Sequence, residues 1–266
     1  MFIYDPVIIK GAGDLATAVA HKLFRSGFPI IMTEVEKPLC VRRNVSFANC
    51  IYVGTWEVEG IKAKKATNLQ NIKDILNEGM VPVIADMECN IRNEIKPLAL
   101  VDAILAKRNT GTSKNDAPIV IGLGPGFKAG VDVDVVIETN RGHNLGRLIF
   151  EGYASMDTGI PGEIKGHTED RVLKATRTGI VTNIKELGSI IKKEETVILI
   201  DGEEVKAKID GIVRGLIYNG LKVTKGMKIG DIDPRMEVAF TNTISEKGRC
   251  IAGGVLEAIL MKKLEL

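Results

Sequence analysis

The sequence predicts an α/β protein with a Rossmann-like parallel-sheet domain, a small β-rich domain and a C-terminal helix. The first 34 residues read as strand, glycine loop, helix and strand, which is how doubly wound sheets begin. From about Thr176 the chain changes to short strands broken by glycine turns, which places a domain boundary near residues 150–175. The 266 residues, 45% hydrophobic and 26% charged, have the composition of a globular protein. We therefore expect two domains, residues 1–160 and 161–266.

The opening strand and helix follow from the spacing of apolar residues. Residues 7–10 form a short apolar run that predicts a buried strand, and a glycine loop follows it. Apolar side chains then recur every four residues in two adjacent rows, which form one face of a helix. The rows are Leu15, Val19 and Leu23, and Ala16, Ala20 and Phe24. Ser26-Gly27 predicts the end of this helix, and residues 28–32 predict a second strand that leads to Glu34.

The rest of the first domain alternates between regular elements and loops. We predict a helix that Thr67 caps and that continues to about Asn77, and a strand over residues 80–85. Residues 97–106 are compatible with either a strand or a helix, and residues 107–116 predict a polar, mobile loop. Further strands are predicted at residues 119–121 and 133–138.

Turn dipeptides divide the second domain into short strands. They occur at residues 178–179, 201–202, 210–211, 219–220 and 225–226. Residues 176–235 are similar to a barrel-sandwich hybrid of the biotinyl or lipoyl type. They lack that type's lysine motif at a hairpin tip, so we expect a structural or docking role. A terminal helix is expected to begin at Ser245 and to bury Ile251, Val255, Leu256 and Ile259.

The first glycine loop is the strongest candidate binding site in the sequence. Gly11 permits a tight turn, Gly13 lets a phosphate approach the backbone, and the start of the helix offers N–H groups to an anion. Glu34 ends the second strand, where an acid can bind a ribose hydroxyl. The residues predicted to bind a nucleotide-type ligand are Gly11, Ala12, Gly13, Asp14, Leu15 and Glu34. A glycine turn kept for packing is the alternative, since the Asp14 carboxylate would repel a diphosphate.

Two further groups are candidates for phosphate binding. Arg42 and Arg43 follow the second strand and could pair with a phosphoester, although a solvated pair of charges is an equally good interpretation. A second glycine-rich segment could form a concave nest of backbone N–H groups beside a lysine, or a tight turn alone. Its candidate residues are Gly122, Gly124, Gly126 and Lys128.

The segment after residues 133–138 is the best place in the sequence for acid–base chemistry. It carries Glu138, Arg141 and His143 where the strand ends of an α/β sheet face a ligand crevice. His143 could act as a base and Arg141 as an anion clamp, but a histidine in a loop is more often a surface residue. The sequence shows no catalytic-triad order and no metal-ligand cluster, so no metal site is predicted.

Charge and hydropathy exclude several classes of partner. The formal net charge is +2, which does not favour binding to nucleic acid through its phosphates or to a membrane surface. The first residues lack a basic segment followed by an apolar one, and no apolar run reaches about 18 residues. We expect a cytoplasmic protein without a membrane-spanning segment.

Several long blocks of the chain resemble one protein family. They are GAGDLATAVAHKLFRSGF, MTEVEKP, VRRNVSF, VDAILAKRNTGT, IGLGPGFKAGVDVDVVIETNRGHNLGR, TGIPGEI and IGDIDPR. These blocks resemble the accessory-protein family of selenium-dependent molybdenum hydroxylases, the YqeB type, which is distantly similar to the xanthine dehydrogenase accessory proteins. The resemblance implies a maturation factor with a Rossmann-like domain that acts on a molybdenum hydroxylase client.

Three functions are open on this basis. The first is a maturation factor that holds a phosphorylated cofactor, either a molybdopterin-type cofactor or NAD(P), through its glycine loops. The second is an NAD(P)-dependent oxidoreductase with Glu138, Arg141 and His143 near the substrate, and the third is a protein-docking scaffold without a ligand. The first is favoured because no obvious proton-transfer group accompanies the first glycine loop. A homo-oligomer is compatible with each of them.

Overall fold

The computed structural model describes residues 4–265, which divide into two compact units. The first unit contains residues 4–38, 46–157 and 244–265, and the second contains residues 39–45 and 158–243. Residues 1–3, which begin the segment considered above for a leader, lie outside the described residues. Within the described residues, no helix combines the length and the apolar character needed to cross a membrane.

A nine-stranded sheet forms the centre of the first unit. Its strands are β1 (Val7–Lys10), β2 (Ile30–Glu34), β3 (Thr55–Val58), β4 (Ile61–Ala66), β5 (Val81–Ala85), β6 (Ala99–Asp102), β7 (Ile119–Leu123), β8 (Val135–Ile137) and β9 (Leu148–Ile149). The α-helices of both units are α1 (Asp14–Arg25), α2 (Cys50–Val53), α3 (Leu69–Asn77), α4 (Arg92–Ile95), α5 (Ala239–Asn242) and α6 (Glu246–Lys263). Only α5 belongs to the second unit.

The strand order is β3-β4-β5-β2-β1-β6-β7-β8-β9. The pairs from β4 to β8 are parallel, whereas β3 and β9 pair antiparallel at the two edges. Strands β1, β6 and β7 are buried along their whole length. Such continuously buried runs are expected where a parallel sheet is covered on both faces.

The predicted Rossmann-like, doubly wound layout is wrong, although the α/β class is correct. The sheet is mixed, and the connections from β6 to β7 and from β7 to β8 contain no α-helix. Their sequences are rich in glycine and polar residues, which favour turns over helices. The C-terminal helix α6 packs against β7 and β8 instead. The helix over these strands therefore comes from the far end of the chain.

Helix α1 ends as its sequence predicts. Gly27 has a φ of +91°, and its N–H donates to the Phe24 carbonyl while the Phe28 N–H donates to the Leu23 carbonyl. These two hydrogen bonds define a Schellman motif, in which glycine accepts the left-handed backbone without strain. The buried Phe28 side chain then starts the return of the chain towards β2.

Three element predictions differ from the structure in informative ways. Asn68, rather than Thr67, caps α3, because its side chain accepts a hydrogen bond from the Asn71 N–H. The ambiguous segment at residues 97–106 contains strand β6. The terminal helix, capped by Ser245 as predicted, belongs to the first unit rather than to a domain of residues 161–266. The terminal helix belongs to the first unit because it packs closely on α1. A Cβ on Gly248 of α6 would lie 2.8 Å from the Cβ of Ala18 on α1.

The second unit consists mainly of two four-stranded antiparallel sheets. Its strands are β10 (Val172–Lys174), β11 (Gly179–Asn183), β12 (Ile190–Ile191), β13 (Thr196–Ile200), β14 (Glu203–Lys206), β15 (Gly211–Leu216), β16 (Lys222–Val223) and β17 (Lys228–Asp233). One sheet has the order β10-β17-β15-β12 and the other β14-β13-β11-β16. Several of the predicted glycine turns have positive φ, including Gly202 and Gly220.

Candidate functional site

The candidate site of the first unit lies at the carboxyl end of its parallel strands. Strand β1 leads there into the first turn of α1, and β8 leads into the segment of residues 138–155. Helix α6 packs on α1, β7 and β8, and Glu246 in its first turn pairs with Arg141 of the segment after β8. Ligand sites of open α/β sheets are generally found at this end of the strands.

Glu138 organises the segment that follows β8. Glu138 is 4% exposed, and its carboxylate accepts hydrogen bonds from the N–H groups of Asn140 at 2.7 Å and Ser155 at 2.8 Å. Burial alone would raise the pKa of Glu138, but these hydrogen bonds outweigh it and hold the pKa below its usual value. The carboxylate is therefore ionised at neutral pH and joins the two ends of the segment.

A cavity of about 490 Å³ opens beside Glu138. The residues that line it are Glu138, Asn144, Arg147, Leu148, Ile149, Phe150, Glu151, Tyr153, Ala154 and Ser155. Pockets for small ligands commonly enclose about 300–1,000 Å³ and combine apolar walls with a few polar groups. Aromatic and aliphatic side chains accompany charged ones here, so this open cavity offers both apolar and charged surface.

Lys247, in the first turn of α6, is a half-buried cation at this edge. Burial lowers the pKa of its ammonium group and the positive charge of Arg141 lowers it further, while Asp14, Glu138 and Asp157 act in the opposite direction. Among residues 4–265, the Lys247 side chain forms no hydrogen bond and no ion pair within 4.0 Å. A partly buried charge without such a partner is energetically unfavourable unless a ligand or solvent satisfies it.

The charges around Lys247 are of both signs. Lys107 pairs with Asp157 at 2.5 Å, and Arg141 pairs with Glu246 at 2.7 Å. Together with the groups that act on Lys247, they form a cluster of three cations and four carboxylates, which we call the Lys247 cluster. Its members are Asp14, Lys107, Glu138, Arg141, Asp157, Glu246 and Lys247. This balance does not favour a ligand with several negative charges.

The first glycine loop is largely occupied by contacts within the protein. The Ala12 N–H donates to the Glu34 carboxylate at 2.9 Å, and the other oxygen of this carboxylate accepts the Val35 N–H. Gly11 has a φ of +93°, and a Cβ there would lie 3.1 Å from the Ala103 carbonyl. Burial raises the pKa of Glu34. Glu34 thus closes the loop, and its role towards a ribose stays a prediction.

Within the first glycine loop, the residue with open space beside it is Gly13, at the start of α1. Nothing lies within 4 Å of the position that a Gly13 Cβ would take, and Gly13 caps the helix with ordinary negative φ. The following Asp14 is part of the Lys247 cluster. Leu15 is half-buried and lies 3.7 Å from the Cβ position of Gly248. The predicted ligand contacts of Asp14 and Leu15 remain predictions.

The second glycine segment packs against its own surroundings. A Cβ on Gly122 would lie 2.5 Å from the Phe127 ring, and one on Gly124 would lie 2.5 Å from Thr139 Oγ1. A Cβ on Gly126 would meet the backbone of Arg108 at 2.6 Å. Close packing therefore accounts for all three glycines. Lys128 is exposed, and whether this segment also contacts a ligand stays a prediction.

The remaining predicted residues fall into different surroundings. Arg42 and Arg43 belong to the second unit, where Arg42 donates to the carbonyls of Phe240 and Thr243 and Arg43 donates to that of Leu216. His143 is exposed in the segment after β8. Arg141 contributes to the Lys247 cluster through its ion pair with Glu246. Of the three proposed catalytic residues, Glu138 and Arg141 share the electrostatic environment of Lys247.

Sequence reasoning missed two groups of this edge. Lys247 carries a detectable signal, because a lysine in the first turn of a helix opposes the helix dipole and invites a functional explanation. A buried hydrogen-bond chain was also missed: Lys10 Nζ donates to Thr112 Oγ1 at 2.7 Å, and this hydroxyl donates to Asp102 at 2.6 Å. This hydrogen-bond chain fixes the loop after β6. No local sequence pattern reveals it, because Lys10 and Thr112 are distant in sequence.

Among the described residues, no group of three or more His, Cys, Asp or Glu side chains is placed to hold a metal ion.

Comparison with solved structures gives only weak similarity. An aspartoacylase family protein from Mesorhizobium loti is 9% identical, with 86% of this chain and 51% of that chain covered and a TM-score of 0.23. The product-bound ectoine utilization protein of Ruegeria pomeroyi is 12% identical, with 85% and 84% covered and a TM-score of 0.27. A succinylglutamate desuccinylase from Silicibacter sp. is 11% identical, with 87% and 85% covered and a TM-score of 0.25. At these TM-scores the likeness supports neither a fold nor an activity for this chain.

The predicted function as a maturation factor for a selenium-dependent molybdenum hydroxylase is withdrawn, because no comparison supports it. The names of the similar solved structures mention neither molybdenum nor selenium. The molybdenum, selenium and NAD(P) assignments therefore find no support, and we abandon the maturation-factor and oxidoreductase interpretations. The expectations of a bound cofactor, a client enzyme and a homo-oligomer stay predictions.

One curated protein shows a much stronger relationship in sequence. No protein-family model matches the chain. The chain is 48% identical over 255 residues to the "Uncharacterized protein YqeB" of Escherichia coli strain K12. The alignment covers 96% of this chain and 47% of that protein, so the chain spans about half the length of the relative it matches. The chain is thus a homologue of part of E. coli YqeB, whose name assigns no activity.

Proposed function

We propose that the first unit binds a small amino-acid-like zwitterion at the Lys247 cluster. The observation that carries the proposal is the half-buried Lys247, whose ammonium group has no hydrogen-bond or ion-pair partner among residues 4–265. A ligand carboxylate would supply this partner. The adjacent carboxylates would attract the ammonium group of the same ligand.

The charges of the cluster support a zwitterion over a phosphorylated cofactor. Arg141 and three carboxylates, those of Asp14, Glu138 and Asp157, act electrostatically on Lys247, so the site favours a group with one negative charge over a phosphate dianion. A zwitterion carries no net charge and matches a site with both signs. The helix dipole of α1 adds favourable interaction for a carboxylate near its first turn.

The cavity beside Glu138 offers space for the rest of the ligand. Glu138 lines this cavity and also acts electrostatically on Lys247. Phe150 and Tyr153 contribute apolar surface to the cavity wall, and both side chains are substantially exposed. We therefore expect a preference for zwitterions with an apolar or aromatic side chain over glycine.

The test is thermal unfolding of the full chain in the presence of each of the twenty amino acids, with sodium acetate, inorganic phosphate and NADH as comparison probes. A ligand at ten times its Kd stabilises the folded state by about 1.4 kcal/mol. This corresponds to a rise in Tm of about 3–5 °C for a protein of this size. We expect at least one amino acid to give this rise, and NADH to give none.

The variant Lys247→Met should remove the effect. It deletes the cation and keeps an unbranched apolar stem, so we expect at least about tenfold weaker binding of the best amino acid, about 1.4 kcal/mol. Lys62→Met, at an exposed position of β4, is the matched control and should bind normally. Equal binding by both variants, or protection by NADH alone, would contradict the proposal.

A further inference from the structure

The connection between β6 and β7 crosses the carboxyl edge of the sheet. Residues 103–118 contain neither helix nor strand, and long loops of this kind within a compact unit are commonly lids or binding loops. We call these residues the β6–β7 loop. It begins against the first glycine loop, because the Ala103 N–H donates to the Lys10 carbonyl and a Cβ on Gly11 would lie 3.1 Å from the Ala103 oxygen. The loop thus covers the end of β1, where ligands of α/β sheets are generally found.

One side chain of the β6–β7 loop holds it to the ends of two strands. Thr112 Oγ1 accepts a hydrogen bond from Lys10 Nζ at 2.7 Å and donates one to Asp102 at 2.6 Å, and all three side chains are buried. Lys10 is the last residue of β1, and Asp102 is the last residue of β6. We call this pair of hydrogen bonds the Thr112 latch. Removing the hydroxyl would deprive both charged groups of a buried hydrogen bond, which is unfavourable.

Part of the β6–β7 loop has an unfavourable backbone in this closed position. Leu105 and Lys107 have φ of +59° and +61°, a left-handed conformation that is unfavourable for residues with a Cβ. The apolar side chain of Ile104 is substantially exposed. Strained backbone persists only where other contacts enforce it, and the Thr112 latch supplies buried contacts of this kind. The loop should therefore open locally when the latch is broken.

The β6–β7 loop also reaches the Lys247 cluster. Lys107 Nζ lies 2.5 Å from the Asp157 carboxylate, and Asp157 is one of the groups that act on Lys247. While the loop is closed, Lys107 offsets the negative charge of Asp157, so Lys247 attracts a ligand carboxylate more strongly. An open loop withdraws Lys107 and leaves Asp157 to repel that ligand group. The position of the loop and the affinity of the site are therefore coupled.

We infer that the β6–β7 loop is a lid on the Lys247 cluster, that the Thr112 latch holds it closed, and that a bound carboxylate ligand favours the closed position. Opening breaks the latch and relieves the left-handed backbone at Leu105 and Lys107. The statement about the ligand rests on the function proposed above, whereas the statement about the latch does not.

Limited trypsin digestion of the full chain measures this opening, because Lys107, Arg108 and Lys114 lie in the β6–β7 loop. In the closed loop a Cβ on Gly126 would lie 2.6 Å from the Arg108 backbone, so cleavage at this point requires the loop to open. Mass spectrometry identifies the fragments that come from cleavage within the loop. In the wild type this cleavage should depend only weakly on urea, as local opening does, whereas cleavage through global unfolding depends on it steeply.

Thr112→Val keeps the shape of the side chain and removes its hydroxyl, so we expect cleavage within the loop to be at least about tenfold faster than in the wild type. Thr112→Ser retains the hydroxyl and should be cleaved slowly. Thr110→Val, at an exposed position of the same loop, is the matched control and should be cleaved at the wild-type rate. Circular dichroism checks that each variant is folded, and the urea dependence of the wild type decides the question if Thr112→Val is not.

The amino acid that most raises the Tm should slow cleavage within the loop of the wild type. The inference is overturned if folded Thr112→Val is cleaved at the same rate as Thr110→Val, or if cleavage of the wild-type loop follows global unfolding in urea. It is also overturned if the amino acid binds and leaves the cleavage rate unchanged. If no amino acid binds while Thr112→Val is cleaved faster than Thr110→Val, the zwitterion site fails and the latch is supported.

Discussion

Two adjacent glycines in α6 have opposite surroundings. A Cβ on Gly254 would lie 2.3 Å from the Gly146 carbonyl oxygen, whereas nothing lies within 4 Å of the Cβ position of Gly253. Gly254 therefore permits the close approach of α6 to the segment after β8. Gly253 only lowers the helix propensity of its turn. The same residue type thus has a packing role at one position and none at the next.

Alanine substitutions should separate these two roles. Gly254→Ala should destabilise the protein by about 1–3 kcal/mol, because backbone must move to admit the methyl group. Gly253→Ala should stabilise it by up to about 1 kcal/mol through helix propensity. Denaturant unfolding measures both. Similar changes in the two variants would show that α6 does not approach Gly146 as closely as described.

At the same scale, Glu34 shows why the predicted nucleotide site was ambiguous. An acid at the end of the second strand can bind a ribose hydroxyl, but it can equally accept the N–H of the glycine loop beside it. In the structure it bonds Ala12 and Val35. Sequence spacing placed Glu34 correctly next to the loop. The spacing could not show whether the Glu34 carboxylate binds a ribose hydroxyl or the N–H groups of the glycine loop. Both interactions place an acid at the same distance along the sequence from the loop.

At the scale of the element, the ionised carboxylate of Glu138 holds the segment after β8 through two backbone hydrogen bonds. Glu138→Gln should destabilise the protein at pH 7 by about 1–3 kcal/mol, because an amide cannot accept both hydrogen bonds of the carboxylate. Since the pKa of Glu138 is lower in the folded protein than its unfolded value of about 4.3, the stabilisation is complete above that pH. It is lost as the pH falls further.

Urea unfolding between pH 3 and pH 7 checks this dependence. The difference between wild type and Glu138→Gln should stay constant down to about pH 5 and shrink below it. Glu57→Gln, at an exposed position of β3, is the control and should stay close to wild type throughout. A difference that does not change with pH would mean that the role of Glu138 is independent of its charge.

Local patterns predicted most of the elements and not their arrangement. The rows of apolar residues in α1, the Ser26-Gly27 stop and the Ser245 cap each depend on neighbouring residues, and the structure contains all three. The layout of the sheet depends on α6 packing against β7 and β8, which are more than a hundred residues earlier. Asp14, Glu138 and Arg141 were predicted as site residues, but their grouping with Lys247 was not, because these residues come from distant segments.

At the scale of the whole molecule, the chain combines an α/β unit with an antiparallel β unit. The zwitterion site is proposed for the first unit, where charges of both signs act on the Lys247 ammonium group. Binding of an amino acid at this site should therefore respond to Lys247→Met.

The most direct test of the zwitterion site is an NMR titration of Lys247 itself. Reductive methylation with ¹³C gives each lysine a resonance and keeps its charge, and Lys247→Arg assigns the peak. The amino acid that most raises the Tm is the probe. We expect Lys247 to titrate below the ordinary lysine pKa of about 10.4 without this amino acid, and at higher pH with it, because the ligand carboxylate stabilises the ammonium form. A Lys247 titration that stays the same when the amino acid binds would contradict the proposed contact.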